Sequence, residues 1–233
     1  MITLREKNID LGAGVLLNNV ITLRDIDLNK FKALARNWKI SGVNYVVLDS
    51  ELGFSQDILN SLNEAKLDSW INFESNPEPA QLRFLASQGV KVVIAPASSP
   101  NEMLNLAARV HRCNLLLFAK VKQNSSAYPY NLNNISQLRD SEIDGIVGSE
   151  DLDFQVLLSA FNSSIIAIAT NANNFKDVHT KKMHGGASYL SAVNPKLIVD
   201  SLIGDVVAQT EIAQRGNLAK DTIVKEIFTL IKK

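Results

Sequence analysis

The sequence predicts an α/β fold of the (β/α)8 TIM barrel class. Short runs rich in Val, Ile and Leu recur between segments of helical periodicity. These runs hold more apolar residues than an alternation with polar residues allows, which indicates parallel strands covered on both faces. Eight such runs occur, which is the strand number of this barrel. A chain of 233 residues that is 46% hydrophobic is long enough for one core of this kind.

The predicted strands and helices alternate along the chain. The strands are 12–20, 45–49, 70–73, 90–95, 115–121, 145–148, 164–169 and 187–192. The helices between them are 30–39, 55–65, 79–88, 101–112, 152–161 and 175–183. Gly42, Gly89 and Gly186 follow three of these helices, where a left-handed C-cap is needed.

More helix follows the last strand than a barrel needs for closure. The segments 195–214 and 219–233 are both helical in pattern and are separated by Arg215-Gly216-Asn217. We therefore expect a single barrel domain over 1–233 with residues 195–233 as a C-terminal helical extension. The surplus helices would pack on a neighbouring copy, so we expect a homo-oligomer.

Charge and composition favour a small-molecule ligand. The chain has 24 Lys and Arg against 24 Asp and Glu, so it lacks the basic footprint of nucleic-acid or anionic-membrane binding. No run approaches the roughly 18 apolar residues of a membrane span, and no secretory leader pattern is present, so we expect no membrane partner and a cytoplasmic protein. The single Cys113 excludes an internal disulfide and a Cys-cluster metal site.

Acidic residues follow two of the predicted strands. Asp49 and Glu51 end the second strand, and Glu150 and Asp151 follow the sixth. Barrel enzymes keep their chemistry at the C-terminal ends of the strands, so these acids are expected at one rim. The polar segment 123–134 follows the fifth strand and is either part of that site or a solvated connector. None of the three His residues is expected at the C-terminal end of a strand, so solvated or capping roles are expected for them.

The residues resemble a known family, the class II pyruvate aldolases typified by 4-hydroxy-2-oxoheptanedioate aldolase, with the related citrate lyase beta-subunit group. Both have a phosphoenolpyruvate-binding type of barrel. The likeness spans most of the chain, and its motifs are an apolar strand ending in Asp-x-Glu, a Pro after the fourth strand and a Gly-x-x-Asp-Leu turn. The blocks that carry it are 42–51, 70–95, 143–152 and 174–192.

The resemblance implies a Mg or Mn ion held by a Glu after the fifth strand and an Asp in the sixth-strand turn. It also implies a 2-oxoacid chelated to that ion, an Arg that stabilises the enolate and a His that moves a proton. Asp151 matches the metal-binding Asp and would be the ligand if a metal binds. Asp49 and Glu51 match the second-strand acids, and Ser149 lies in the turn. Asp49, Ser149 and Asp151 are expected to contact substrate, and Glu51 or Glu150 is expected to carry the proton.

Other family positions hold different residues. Lys122 stands where the family has its fifth-strand Glu, Asn72 (or Trp70, if the alignment slips) replaces the Arg, and Leu52 replaces the His. An ammonium within about 4 Å of a divalent ion would repel it by several kcal/mol even at an effective dielectric of about 20. We therefore expect a metal-free rim without a cofactor, in which Asn72 contacts substrate.

Lys122 has two interpretations. As a catalytic residue it would bind an oxoacid carboxylate or form a Schiff base. As a structural residue it would neutralise Asp151 and Glu51. Two functions follow: a carbon–carbon lyase acting on a small 2-oxoacid or acyl thioester, or a non-catalytic barrel that serves as a binding or assembly subunit.

Overall fold

The computed structural model describes residues 13–17, 28–40, 43–121, 135–148, 166–172 and 187–191. Eight strands lie in these ranges: β1 Ala13–Leu17, β2 Val43–Asp49, β3 Asp68–Asn72, β4 Val92–Pro96, β5 Leu116–Lys120, β6 Gly145–Gly148, β7 Ile166–Ala172 and β8 Ala187–Ser191. The described helices are α1 Leu28–Ile40, α2 Ser50–Gly53, α3 Gln56–Glu64, α4 Pro79–Ser87 and α5 Pro100–Arg112, with a 3-10 turn at Ile135–Leu138.

The sheet is parallel throughout, and each strand pairs with the next one along the chain. β8 also pairs with β1, which closes the sheet into a barrel. The predicted α/β class and parallel sheet are therefore confirmed. Helices are described after the first four strands, whereas the predicted helices 152–161 and 175–183 and the extension 195–233 lie outside the described residues. The complete set of eight β/α units and the extension remain predictions.

The interior of the barrel is filled by large side chains from five consecutive strands. The Tyr45 ring stacks on Trp70 with centroids 3.7 Å apart, and Trp70 meets the Phe118 ring edge-on at 5.4 Å. Glycines make room for these rings, because a Cβ on Gly145 would lie 2.7 Å from the Phe118 ring. The inward-facing apolar layer consists of Tyr45, Val47, Trp70, Val92, Ile94, Leu116, Phe118 and Val147.

A second apolar layer lies between the strands and the helices. Alternate strand residues point outward into it, so both faces of β2 to β6 are buried, as the apolar runs predict. Phe31 and Trp38 of α1 meet edge-on in this layer with centroids 6.1 Å apart. None of the described helices combines the length and apolarity that crossing a membrane requires.

Three helices end in the same hydrogen-bonded cap. After α4, the N–H of Val90 donates to the carbonyl of Leu85, and Gly89 adopts a φ of 78°. This is the Schellman arrangement, in which the residue after the cap is left-handed. Lys66 after α3 and Asn114 after α5 occupy the same position with φ of 59° and 58°. The predicted C-cap at Gly89 is confirmed, whereas Gly42 and Gly186 lie outside the described residues.

Candidate functional site at the C-terminal mouth of the barrel

The C-terminal mouth of the barrel is polar above an apolar floor. Along each strand, the residue two positions beyond an inward-facing apolar residue also faces inward. The apolar floor consists of Val47, Trp70, Ile94 and Phe118. The next inward residues, which form the described rim of the mouth, are Asp49, Asn72, Pro96 and Lys120.

Asp49 and Asn72 are the last residues of their strands and are register partners. Asn72 Nδ2 donates to Asp49 Oδ1 at 2.8 Å, and both side chains are buried. Asp49 precedes α2, but its carboxylate makes no capping hydrogen bond to that helix. The carboxylate therefore orients the Asn72 amide, since a hydrogen bond to a charged group is stronger than one between neutral groups.

An ion pair crosses the mouth above β4. Lys120 Nζ lies 2.8 Å from Oε1 of Glu74, which follows β3 by two residues. β4 lies between these two strands, and its last residue, Pro96, is the register partner of Lys120. The contact is possible because the Lys120 side chain continues the inward face of Leu116 and Phe118.

The segment that carries Glu74 is anchored at both ends. Phe73 is 4% exposed, and its backbone N–H donates to the carbonyl of Ile94. Pro77 is also buried, whereas residues 74–76 between them are exposed. Glu74 Oε1 also accepts a long 3.4 Å hydrogen bond from Asn72 Nδ2. One carboxylate oxygen thus receives donors from both Asn72 and Lys120.

This arrangement offers two donors and two carboxylates at one rim. The donors, Asn72 Nδ2 and Lys120 Nζ, suit the oxygens of a carboxylate or a polarised carbonyl. The carboxylates of Asp49 and Glu74 can accept a proton. Below them, the Trp70 and Phe118 rings are fully buried. The mouth is therefore equipped to bind a small anionic molecule and to stabilise negative charge that develops on it.

Lys120 would repel a divalent metal ion placed beside it at the described part of the mouth. Each carboxylate already accepts from Asn72 or Lys120, and an ammonium about 4 Å from a divalent ion would repel it by about 8 kcal/mol at an effective dielectric of about 20. Among the residues that the structure describes, no three His, Cys, Asp or Glu side chains are grouped as a metal site requires. Asp151, the predicted ligand of a metal, lies outside them.

The predicted site residues fall into three groups. Asp49 and Asn72 are brought together at the mouth. Glu51, a predicted proton carrier, is exposed on α2 and has no hydrogen bond or ion pair with another described residue. A helical turn begins at Ser50, which takes Glu51 off the inward face of β2. The remaining predicted residues, Lys122, Ser149, Glu150 and Asp151, lie outside the described residues.

Sequence reasoning missed Lys120 and Glu74. The signal for Lys120 was present, because Leu116, Phe118 and Lys120 are spaced by two residues and strand side chains alternate between faces. The family resemblance instead points to Lys122, which is two residues further along the same strand alternation. Glu74 lies beyond the end of β3, where no periodicity applies, so its contact with a lysine two strands away had no sequence signal.

A second polar pair lies at the opposite end of the barrel. His111 Nε2 of α5 is 2.7 Å from Asp144 Oδ2, and the same oxygen accepts from the backbone N–H of Leu117 at 2.8 Å. Asp144 directly precedes β6, so the pair connects a helix to the N-terminal ends of two strands. The expected solvated or capping role of His111 is therefore wrong, since it is tied to Asp144. His179 and His184 lie outside the described residues.

The fold is similar to that of several solved barrels. Orotidine 5'-phosphate decarboxylase from Lactobacillus acidophilus has a TM-score of 0.61 at 14% identity, covering 94% of this chain and 99% of that one. Tryptophan synthase from M. tuberculosis gives 0.58 at 13%, covering 97% and 94%. An HpcH/HpaI aldolase/citrate lyase family protein from Burkholderia cenocepacia gives 0.56 at 10%, covering 88% and 95%. Identities this low show the fold alone.

The predicted membership of the class II pyruvate aldolase and citrate lyase beta-subunit family is wrong. No protein-family model matches the chain, and no curated protein matches it. An aldolase/citrate lyase family protein is only one neighbour among barrels with different activities. The motifs behind the assignment, an apolar strand ending in acids and a Pro after a strand, are features that many barrels share. The comparisons therefore support a TIM-barrel-like fold and no particular family.

Proposed function

We propose that this protein is a metal-independent carbon–carbon lyase that acts on a small 2-oxoacid at the mouth of a complete (β/α)8 barrel. The observation that carries the proposal is the ammonium of Lys120 at the rim, facing the Asp49–Asn72 pair across the mouth. The sequence predicts a lysine-anchored site at Lys122, whereas we propose Lys120 as the anchoring lysine.

The rim supplies hydrogen-bond donors for the two adjacent polar groups of such a substrate. A 2-oxoacid has a carboxylate next to a carbonyl, and these groups need donors, which Lys120 and Asn72 supply. In the cleavage of a 4-hydroxy-2-oxoacid, a rim carboxylate, that of Asp49 or Glu74, would remove the proton of the 4-hydroxyl group. The bond between C3 and C4 then breaks, and its electron pair moves into the 2-oxo carbonyl to give an enolate. The Lys120 ammonium, paired with the carboxylate, would also stabilise the enolate oxygen that forms on the adjacent carbon, and the protonated carboxyl group would then return its proton to C3.

The names of two fold neighbours support this class of chemistry. One belongs to an aldolase/citrate lyase family, and another is a decarboxylase; both names describe the cleavage of a carbon–carbon bond. An acyl thioester remains a second substrate class for the same mouth, because its carbonyl needs the same donors. Lys122, which follows the fifth strand, and Ser149 and Asp151, which follow the sixth, remain predicted contributors to the rim.

The test is pyruvate release from a 4-hydroxy-2-oxoacid or from oxaloacetate in the presence of EDTA. We expect turnover by the native protein and a loss of about 100-fold or more in Lys120→Met, because loss of one electrophilic donor typically costs that much. Lys91→Met is the matched control, since Lys91 lies just before β4 at the other end of the barrel.

Three results would count against the proposal. Turnover that requires added Mg or Mn would contradict a metal-independent site. Equal activity in Lys120→Met and Lys91→Met would remove Lys120 from the chemistry. Tight oxoacid binding without any turnover would assign the barrel the non-catalytic binding role.

A further inference from the structure

We infer that Glu74 occupies the ligand's carboxylate position in the free protein and leaves it when ligand binds. The inference rests on the proposed function and identifies which part of the ligand the two rim donors recognise. Glu74 Oε1 accepts from Lys120 Nζ at 2.8 Å and from Asn72 Nδ2 at 3.4 Å. A carboxylate oxygen of a bound molecule would need these same two donors.

The geometry of the donors indicates a carboxylate as their partner. Lys120 carries a full positive charge, and Asn72 is fixed by its 2.8 Å bond to the buried Asp49. The Asn72 amide is thus oriented before ligand binds, so little rotational freedom is lost on binding. A neutral carbonyl alone would not match the charge of Lys120. The donor pair therefore favours an anion with a carboxylate oxygen over a neutral carbonyl, such as that of an acyl thioester.

Glu74 can leave this position at small cost. Its side chain is 66% exposed and that of Lys120 is 24% exposed, so the ion pair is largely solvated and weak. The backbone on either side is held by the buried Phe73 and Pro77, so the exchange needs only side-chain rotation. While Glu74 stays in place, its charge also repels an incoming anion, and Glu74 therefore lowers the affinity for anionic ligands.

The experiment is equilibrium dialysis of pyruvate with the full chain and with Glu74→Gln. Gln keeps the size of the side chain but removes the competing charge, so we expect affinity to rise by about two- to fivefold, as the strength of an exposed ion pair allows. Lys120→Met should abolish binding in both backgrounds. Glu64→Gln is the matched control, because Glu64 also forms an exposed ion pair, with Lys32 at 3.5 Å, but on the last turn of α3.

The outcomes separate this inference from the proposed function. Pyruvate binding that depends on Lys120 but is equal in the native protein and Glu74→Gln would overturn the inference and leave the proposed site intact. Weaker binding in Glu74→Gln would also overturn it, because Glu74 would then contact the ligand directly. No pyruvate binding by any variant would overturn both. Pyruvamide, the neutral analogue, should bind weakly and gain nothing from Glu74→Gln.

Discussion

Lys120 gives the mouth its chemical character because it is the charged residue at the end of an otherwise apolar inward face. Leu116 and Phe118 precede it on that face and are fully buried, whereas the Lys120 side chain reaches the rim. A long side chain can bury its methylene stem against the floor and keep its ammonium at the polar surface. A positive charge is thereby held at the rim over an apolar floor, where a bound anion can pair with it.

The Asp49–Asn72 hydrogen bond should contribute to stability as well as to binding. Asn72→Leu removes a donor from a buried carboxylate, and we expect the free energy of unfolding to fall by about 1.5 to 3 kcal/mol. Asn63→Leu is the control, because its Nδ2 also donates one hydrogen bond, to the carbonyl of Gln88 at 2.9 Å, but in an exposed position. Urea unfolding of both variants checks this; equal losses would contradict a special role for the buried pair.

The candidate site was only partly predictable from single residues. Asp49 and Asn72 could be placed at the rim because each ends an apolar strand, and the structure brings them together. The sequence does not show that a helical turn begins at Ser50, which places Glu51 on α2 and off the inward face of β2. Glu74 could not be found, since its position depends on how the segment after β3 crosses the barrel mouth, which is a tertiary property.

At the scale of elements, the strands were the most predictable part. β6 has the predicted bounds, and the ends of β2 to β5 differ from the predicted ends by at most two residues. Strands buried on both faces produce continuous apolar runs, so their centres are visible in the sequence. Their ends are set by hydrogen bonds to neighbouring strands and by helix caps, which a single sequence does not show.

The Schellman caps give a matched pair of predictions. Lys66→Gly should raise the free energy of unfolding by up to about 1 kcal/mol, because glycine adopts the left-handed conformation without the strain of a Cβ. Gly89→Ala should lower the free energy of unfolding by about 1 kcal/mol, because alanine is strained at a φ of 78°. A steric clash does not contribute, since a Cβ at this position would meet no atom closer than 3.7 Å. Thermal unfolding measures both; changes of the same sign would contradict this account.

The capping box at the start of α5 predicts a pH dependence. Hydrogen bonds from the Ser99 hydroxyl and then from the Ser99 backbone N–H hold the pKa of Glu102 below its ordinary value of 4.5. A carboxylate with a lowered pKa in the folded state stabilises the fold above its ordinary pKa, and this contribution is lost as the pH falls through the folded value. Glu102→Gln should therefore differ from the native protein near neutral pH and approach it in acid.

The measurement is denaturant unfolding of the native protein and of Glu102→Gln from neutral to acid pH. In a Ser99→Ala background, the effect of Glu102→Gln on the free energy of unfolding should shrink, because the largest cause of the lowered pKa is gone. If the effect of Glu102→Gln on the free energy of unfolding grew as the pH falls, the stabilising role of the Glu102 carboxylate in the capping box would be contradicted.

At the scale of the whole molecule, the barrel interior depends on large rings packed over glycines. Gly145→Ala should destabilise the fold by about 1 to 3 kcal/mol, since its Cβ would lie 2.7 Å from the Phe118 ring. Phe118→Leu should relieve the clash, so the double variant should lose less than the sum of the single losses, with a coupling of about 0.5 to 3 kcal/mol.

A second pair controls for this effect. Gly89 lies at a helix end, and a Cβ on it would meet only Asn63 within 4 Å. Gly89→Ala combined with Phe118→Leu should therefore be additive to within about 0.5 kcal/mol. Additivity in the Gly145 pair as well would show that the ring and the glycine do not share space as described.

For the whole molecule, we propose that an ammonium, and no metal ion, anchors an oxoacid at the barrel mouth. A crystal structure grown with pyruvate and manganese tests it most directly, because anomalous scattering locates the metal independently of the ligand. We predict a pyruvate oxygen about 2.7 to 3.2 Å from Lys120 Nζ, Glu74 displaced, and no manganese at the mouth. Manganese bound there with pyruvate chelated to it, and Lys120 turned away, would contradict the account.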